Sequence, residues 1–176
     1  MSTTLNDGLI DDVDSAAHRL VTLLSARGET LAAAESLTAG LLCATVASVP
    51  GASAVLRGGV VTYATDVKTL LADVPEDVLN TYGPVAEVTA RYMAFGAASR
   101  VVADWGVSLT GVAGPTMQDG HPVGEVWCGV RRPGAQTVED VTAVRLPVDE
   151  SGSRSQIRRQ AVELALELLI RNVNVD

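Results

Sequence analysis

Two stretches with the same layout decide the fold: Ala34-Glu35-Ser36-Leu37-Thr38-Ala39-Gly40 and, further along, Gly58-Gly59-Val60-Val61-Thr62-Tyr63-Ala64-Thr65-Asp66-Val67-Lys68. In each stretch an apolar run gives way to a predicted helix. A reactive side chain follows the junction, the Ser36 hydroxyl in the first case and the Lys68 amine in the second. A Ser–Lys hydrolase needs a hydroxyl and an amine brought together in this way.

Outward from these stretches, apolar periodicity predicts the remaining elements. Predicted helices cover Asp11–Arg27 with Gly28 as the stop, Thr38–Ser48, a short segment capped by Thr65, Val85–Ala103 with a turn at 104–106, and Arg154–Val173. Predicted strands cover Leu31–Ala34, Val55–Tyr63 with a bulge or close backbone approach at Gly58-Gly59, Val107–Val112, Gly124–Arg131 and Val141–Pro147. Helices alternate with strands early and strands cluster later. The pattern predicts an α/β fold, a three-layer α/β/α sandwich with a mixed sheet.

Length and composition fit a single globular domain. The chain has 176 residues, of which 47% are apolar and 19% charged, so we expect one domain over 1–176 with its core at about 15–170. The net charge of −8 argues against a broad nucleic-acid or membrane surface, because phosphate binding needs a basic face. A small phosphorylated ligand is still compatible with this net charge, since one or two arginines suffice to bind it.

The sequence predicts no metal site and no export. Cys43 and Cys128 lie in apolar runs without a CxxC partner, so we interpret them as buried thiols. The segment Met1 to Ser15 lacks a basic region followed by an apolar core, and no apolar run reaches membrane length. We therefore expect a cytoplasmic protein that needs neither a metal nor an organic cofactor.

Each candidate site residue also has a purely structural interpretation. Ser36 is a suitable N-cap for the helix that follows, and Thr38 could share that role. Lys68 would be an ordinary solvated lysine unless burial lowered its pKa towards neutrality. The small residues of Ser108–Pro115, completed by His121–Val126, leave room for a ligand at a strand end, or simply form a tight glycine turn.

Five ordered motifs extend this pattern over most of the chain, from about Ser15 to Ile170. They are Ala34-Glu35-Ser36-x-Thr38-x-Gly40 with Val49-Pro50-Gly51-Ala52-Ser53, then Gly58-Gly59-x-Val61-x-Tyr63-x-x-x-x-Lys68, Gly83-Pro84-Val85, Thr110-Gly111-Val112-Ala113-Gly114-Pro115, and Pro122-Val123-Gly124. In this order they closely resemble the CinA C-terminal-domain family, the nicotinamide-nucleotide amidohydrolases. The chain looks like the stand-alone form, without the large N-terminal molybdopterin-binding-like domain that some relatives carry.

The resemblance implies hydrolysis of the amide of nicotinamide mononucleotide to nicotinate mononucleotide and ammonia, in pyridine-nucleotide recycling. It assigns Ser36 as the nucleophile and Lys68 as the base. It implies a substrate-binding set of Thr38, Ser53, Tyr63, Thr110, Gly111 and Arg154, the last as a phosphate contact. Arg158, one turn further on, could assist with the phosphate. We further expect a small-molecule nucleotide as the only partner besides a second copy of the chain, in a homo-oligomer that is most simply a dimer.

The chain also departs from the family pattern. Leu37 stands where many relatives have cysteine, Ala64-Thr65 replaces Ser-Asn after Tyr63, and His121 replaces a lysine that often precedes Pro-Val-Gly. Two other functions therefore stay open. One is a nucleotide-binding or regulatory module without catalysis, and the other is an amidohydrolase with a different nucleotide or amide substrate.

Overall fold

A computed structural model describes residues 7–175, which form five strands and six α-helices. Residues 1–6, which open the segment interpreted as lacking a secretion signal, lie outside the described residues. The elements are α1 Asp7–Arg27, β1 Leu31–Glu35, α2 Leu41–Ala47, β2 Leu56–Val61, α3 Thr65–Ala72, α4 Glu76–Tyr82, α5 Glu87–Val101, β3 Trp105–Gly111, β4 Val126–Arg131, β5 Thr142–Arg145 and α6 Arg154–Val173. Within this range no helix is both long enough and apolar enough to cross a membrane.

The strands form one mixed sheet in the order β2-β1-β3-β4-β5. β1 pairs in parallel with β2 and β3, and its last residue, Glu35, lies between Val61 and Leu109. β3, β4 and β5 pair antiparallel. The three parallel strands therefore end at the same edge of the sheet.

Helices cover both faces of this sheet. On one face α1, α2 and α6 bury an aliphatic cluster that includes Leu24, Leu42 and Leu166. On the other face α3, α4 and α5 bury a cluster that is mostly alanine, such as Ala72 and Ala97, with Met93 as its largest fully buried side chain. Each fully buried leucine contributes about 1.5–3 kcal/mol of transfer free energy. The predicted fold, a three-layer α/β/α sandwich with a mixed sheet, is confirmed.

The sequence predicts a bulge or a close backbone approach at Gly58-Gly59 of β2, and a bulge lies one residue before this pair. Leu31 pairs with Leu56 while Ala32 pairs with Gly58, so Arg57 is the extra residue. A Cβ on Gly59 would lie 3.2 Å from the Ala33 carbonyl oxygen and only 2.3 Å from the sulfur of Cys43. The close backbone approach expected here therefore occurs at Gly59.

Three boundaries differ from the prediction for local backbone reasons. The helix expected from Thr38 begins only at Leu41, because Ala39 and Gly40 have positive φ angles of 51° and 93°. Thr65 is the first residue of α3, and the cap position before it is Ala64. The turn expected at 104–106 lies earlier, because Val102 ends α5 in a left-handed conformation and Trp105 already belongs to β3.

One element was missed, and several predicted elements are shorter than expected. α4 follows Pro75 and has no buried residue of its own, so it lacks the apolar stripe on which a helix prediction depends. β2 and β5 are shorter than predicted at both ends, and β4 begins two residues later than predicted, at Val126. The range of α6 matches its prediction, and its start is fixed by a capping box between Ser153 and Gln156.

The position of α3 depends on a close contact with α5. A Cβ on Gly96 of α5 would lie 2.0 Å from the carbonyl oxygen of Ala72, the last residue of α3. Real Cβ atoms do not approach a carbonyl oxygen so closely. Glycine at position 96 therefore allows α3, which carries Lys68, to lie directly against α5.

We predict that Gly96→Ala lowers the free energy of unfolding by about 1–3 kcal/mol, because the added methyl forces α3 away from α5. Gly58→Ala is the matched control, since its nearest neighbour would be Val101 Cγ1 at an ordinary 3.8 Å. Urea denaturation of both variants measures the difference. Equal stability of the two variants would show that α3 can shift without cost.

Candidate active site

A pocket lies at the sheet edge where the parallel strands end. The strand order reverses at β1, with β2 reached across one face of the sheet and β3 across the other, and open α/β sheets bind ligands at such a point. Six of the eight residues singled out from the sequence line this pocket: Ser36, Lys68, Tyr63, Thr110, Gly111 and Arg154.

Ser36 and Lys68 are in direct contact. Ser36 follows the last residue of β1, and its backbone N–H donates to the Leu109 carbonyl at 2.8 Å. Lys68 lies in the first turn of α3, and its Nζ donates to Ser36 Oγ at 3.0 Å and to the Thr62 carbonyl oxygen at 2.8 Å. Two strand-to-helix connections thus bring the hydroxyl and the amine within hydrogen-bond distance.

The Lys68 amine is buried without a counter-ion. The residue is 1% exposed, and its amine contacts no carboxylate in the part of the chain that the structure describes. Burial away from water lowers the pKa of Lys68 from 10.5 to about 8. The interpretation of Lys68 as a solvated surface lysine is therefore wrong, and an appreciable neutral fraction exists slightly above neutral pH.

Glu35, not Ser36, caps helix α2. Its buried carboxylate accepts the N–H groups of Gly40, Leu42 and Cys43 at 2.8–3.0 Å. A carboxylate at a helix N-terminus also interacts favourably with the helix dipole. The N-cap interpretation of Ser36 is thus wrong, because the Glu35 carboxylate bonds the N–H groups at the start of α2. Those groups are already paired.

The turn between Ser36 and α2 is held on its other side by Arg158 of α6. The guanidinium donates from Nε to the Leu37 carbonyl at 2.9 Å and from Nη2 to the Thr38 carbonyl at 2.7 Å. Arg158 does not line the pocket. Its expected role as a second phosphate contact is therefore not supported, because its donors are directed at the backbone of this turn.

Arg154, one helical turn before Arg158, lies at the pocket. Its guanidinium donates from Nη1 to the Gly114 carbonyl at 2.5 Å and from Nη2 to the Tyr63 hydroxyl at 2.6 Å. The Tyr63 side chain is 55% exposed. Arg154 therefore connects α6 to the segments that follow β2 and β3, and it places a positive charge where an anionic ligand would enter.

The other predicted substrate contacts are divided between the pocket and its surroundings. The Thr110 hydroxyl donates to the Pro84 carbonyl at 2.6 Å, which joins the end of β3 to the loop before α5. The backbone of Glu125 packs directly against Gly111, since a Cβ on Gly111 would lie only 2.4 Å from the Glu125 carbonyl oxygen. Thr38 is fully buried beside Ser36 but does not line the pocket.

Ser53 does not belong to this site. It lies exposed in the 3-10 turn Ala52–Ala54 that precedes β2, whereas the pocket lies beyond the end of that strand. A strand of this length separates its two ends by roughly 20 Å. The motif spacing could not reveal this, because sequence order does not show at which edge of the sheet a residue lies.

His121 contacts a carboxylate close to the pocket. Its Nδ1 lies 3.1 Å from Glu125 Oε2, and the Trp127 indole donates to Glu125 Oε1 at 3.1 Å. Burial would raise the pKa of Glu125, but the hydrogen bonds from Trp127 and His121 outweigh it and lower that pKa. Thr65, another departure from the family pattern, lines the pocket itself.

Other reactive groups are poorly suited to chemistry here. Burial raises the pKa of the Cys43 and Cys128 thiols to about 12, and Glu35 adds to the rise at Cys43. Both thiols therefore stay protonated near neutral pH. In the described part of the chain no three His, Cys, Asp or Glu side chains lie close enough together to hold a metal ion.

The size and charge of the pocket limit what it accepts. It encloses about 60 Å³, which is room for roughly four to six waters at 10–15 Å³ each, or for one carboxamide. Lys68 and Arg154 are its basic groups, and no carboxylate side chain of the described residues lines it. A ligand with an uncharged reactive end and an anionic remainder fits such a site.

Comparisons with known proteins agree with this architecture. A family model described as the CinA C-terminal domain matches residues 13–173. A CinA-like protein of Frankia casuarinae is 43% identical over 170 residues, covering 96% of this chain. The chain spans 36% to 38% of the length of the curated relatives it matches.

Solved structures match over nearly the whole chain. The competence/damage inducible protein CihA from Agrobacterium tumefaciens is 32% identical, with a TM-score of 0.85 and 99% of each chain covered. A CinA superfamily protein from Klebsiella pneumoniae has a TM-score of 0.86 at 27% identity, covering 93% of this chain and 99% of its own.

We predict that burying the Lys68 amine destabilises the fold in a pH-dependent way. The folded-state pKa of about 8 lies below the ordinary 10.5, so the unfolded chain binds more protons between these values and stability rises with pH through that window. The penalty is fully present below pH 8. The free energy of unfolding of the wild type minus that of Lys68→Met should therefore increase by about 2–3 kcal/mol from pH 7 to pH 10.

Urea denaturation of both proteins at several pH values measures this difference, and the other titrating groups cancel. A difference that does not change with pH would mean that the folded-state pKa of Lys68 is not lowered.

Proposed function

The chain belongs to the CinA C-terminal domain family, and we propose that it hydrolyses the amide of nicotinamide mononucleotide to nicotinate mononucleotide and ammonia. The observation that carries the proposal is the buried Lys68 amine 3.0 Å from the Ser36 hydroxyl. A serine is a weak nucleophile unless an adjacent base removes its proton. An amine with a pKa of about 8 is such a base near neutral pH.

The proposed reaction proceeds through an acyl-enzyme. Neutral Lys68 takes the proton of the Ser36 hydroxyl while Oγ attacks the amide carbon, forming a tetrahedral intermediate. The resulting ammonium of Lys68 returns its proton to the amide nitrogen, and ammonia leaves as the C–N bond breaks. Water then attacks the ester with Lys68 again as base, which releases the carboxylate and restores both side chains.

The negative charge that develops on the carbonyl oxygen needs hydrogen-bond donors. The first-turn N–H groups of α2 are occupied, but within residues 7–175 the N–H groups of Leu37 and Thr38 have no acceptor. They directly follow the nucleophile, so they are the best candidates for an oxyanion hole. Removing one such donor typically costs about 3 kcal/mol of transition-state stabilisation.

The rest of the substrate would extend from the pocket towards Arg154. The enclosed space suits the carboxamide alone, so the ribose and phosphate must lie nearer the opening. A guanidinium can bind phosphate oxygens with two charge-assisted hydrogen bonds. Arg154 would exchange its contacts with Gly114 and Tyr63 for contacts with the phosphate, and this selects a nucleotide over the free nicotinamide base.

We predict that Ser36→Ala lowers kcat by at least about a thousandfold, because it removes the attacking oxygen while Lys68 and the fold remain. Ammonia release from nicotinamide mononucleotide measures the rate. Ser48→Ala is the matched control, since its hydroxyl lies at the exposed end of α2 and bonds only to the Thr45 carbonyl.

The assay also separates the other functions left open by the sequence. Binding of nicotinamide mononucleotide to wild type without ammonia release would favour a non-catalytic module. Release from another amide alone would favour a different substrate. Turnover by Ser36→Ala within tenfold of the wild type would rule out the assigned nucleophile.

For Arg154→Ala we predict a loss of about 1.5–3 kcal/mol in the binding of nicotinamide mononucleotide, because a charge-assisted contact to the phosphate is lost. Binding of nicotinamide riboside, which lacks the phosphate, should change much less. Tyr63→Phe removes the hydroxyl that Arg154 contacts but keeps the charge, so it serves as the control. Equal losses for the two ligands would contradict a phosphate contact at this position.

A further inference from the structure

Arg158 contacts the backbone beside Ser36 and does not line the pocket. Its two hydrogen bonds end on the carbonyls of Leu37 and Thr38, the first two residues after Ser36. We propose that Arg158 is a positioning residue for the hydrolysis, which holds the turn that presents the Ser36 hydroxyl and the adjacent N–H donors. The inference rests on the proposed function, because a positioning role requires a reaction at Ser36.

This turn needs support from outside. It belongs to neither β1 nor α2, and only two backbone hydrogen bonds close it, from the Ala39 N–H to the Ser36 carbonyl and from the Leu41 N–H to the Thr38 carbonyl, both at 3.1 Å. Ala39 has a positive φ of 51°, which side chains other than glycine rarely adopt. Such a conformation persists only where surrounding groups enforce it.

Two ionic side chains supply that support from opposite ends. The Glu35 carboxylate accepts hydrogen bonds from the N–H groups of Gly40 and Leu42, at the end of the turn. The Arg158 guanidinium donates hydrogen bonds to the carbonyls of Leu37 and Thr38, at the beginning of the turn. The acid therefore fixes where α2 starts, and the arginine fixes the peptide planes next to the nucleophile.

Peptide geometry connects these carbonyls to the proposed oxyanion donors. In a trans peptide the C=O of one residue and the N–H of the next point in opposite directions. The Leu37 carbonyl shares its peptide plane with the Thr38 N–H, so the bond from Arg158 Nε fixes the direction of that N–H. A cation on the carbonyl oxygen also polarises the plane and strengthens the N–H as a donor.

The contact uses a property that only arginine has. Nε and Nη2 belong to one rigid plane and reach two successive carbonyls at 2.9 and 2.7 Å. A lysine keeps the charge but offers a single point donor, so it cannot hold both planes in a fixed relation. The charge of Arg158 and its forked shape can therefore be tested separately.

Arg132 provides a matched control for a purely architectural arginine. It also binds across to α6 with two donors, Nε at 3.0 Å and Nη2 at 2.9 Å from Asn172 Oδ1. It is half-buried like Arg158. Because it follows β4, whose end pairs with the start of β3, it lies at the edge of the sheet opposite the pocket.

The test compares Arg158→Lys, Arg158→Gln and Arg132→Lys with the wild type in two assays. The first is steady-state ammonia release from nicotinamide mononucleotide. The second is the rate at which a fluorophosphonate labels Ser36, which needs the nucleophile and its donors but not the nucleotide. Both Arg158 variants should lose about tenfold or more in kcat and in labelling rate, with KM changed less than about threefold.

The pH at which the labelling rate is half-maximal should stay at the wild-type value in both Arg158 variants, since Lys68 keeps its environment. Arg132→Lys should retain wild-type rates. Rates within threefold of wild type in the Arg158 variants, an equal loss in Arg132→Lys, or a rise in KM alone would each overturn the proposal. The last result would make Arg158 a substrate contact instead.

The two assays separate this inference from the proposed function. A wild type that is labelled at Ser36 but releases no ammonia would refute the substrate and leave the role of Arg158 decided by the labelling rates. A wild type that shows neither labelling nor ammonia release would refute both.

Discussion

The site depends on one costly arrangement, an amine buried beside a hydroxyl with no carboxylate to balance it. A lysine paired with an acid would keep its proton, and the serine next to it would stay an ordinary alcohol. Lys68 has the Thr62 carbonyl and Ser36 Oγ as its partners, so burial alone decides its pKa. The position of α3, which carries Lys68, depends in turn on the close contact between Gly96 of α5 and Ala72.

The segment that carries the serine is ordered by charges placed outside it. Glu35 precedes Ser36 directly, whereas Arg158 comes from the last helix, 120 residues further along than Thr38. The last helix, α6, thus contacts the site at two points, through Arg158 at the serine turn and Arg154 at the pocket. α6 is therefore a part of the site as well as a cover for the core.

The sequence predicted the layers and the mixed sheet because those features follow from local apolar patterns, whereas the pairing of Ser36 with Lys68 rested mainly on the family resemblance. The sequence-based prediction failed where tertiary contacts or another side chain override the local preference of a residue. Serine is a preferred N-cap residue, but the Glu35 carboxylate takes that role instead of Ser36. The helix begins five residues after Ser36, at Leu41. Ser53 belongs to the motif order yet lies at the wrong edge of the sheet, and no periodicity marks Arg158 as a partner of Leu37.

The net charge of −8 and a pocket whose charged groups are Lys68 and Arg154 act on a phosphorylated ligand at different ranges. At low ionic strength the protein as a whole repels an approaching anion, and the attraction of the pocket is felt only at short distance. Salt at about 0.1 M screens interactions beyond roughly 10 Å. Moderate salt therefore removes the barrier to encounter sooner than it weakens the final contact. Association becomes faster as salt is added, the reverse of electrostatic steering between opposite charges.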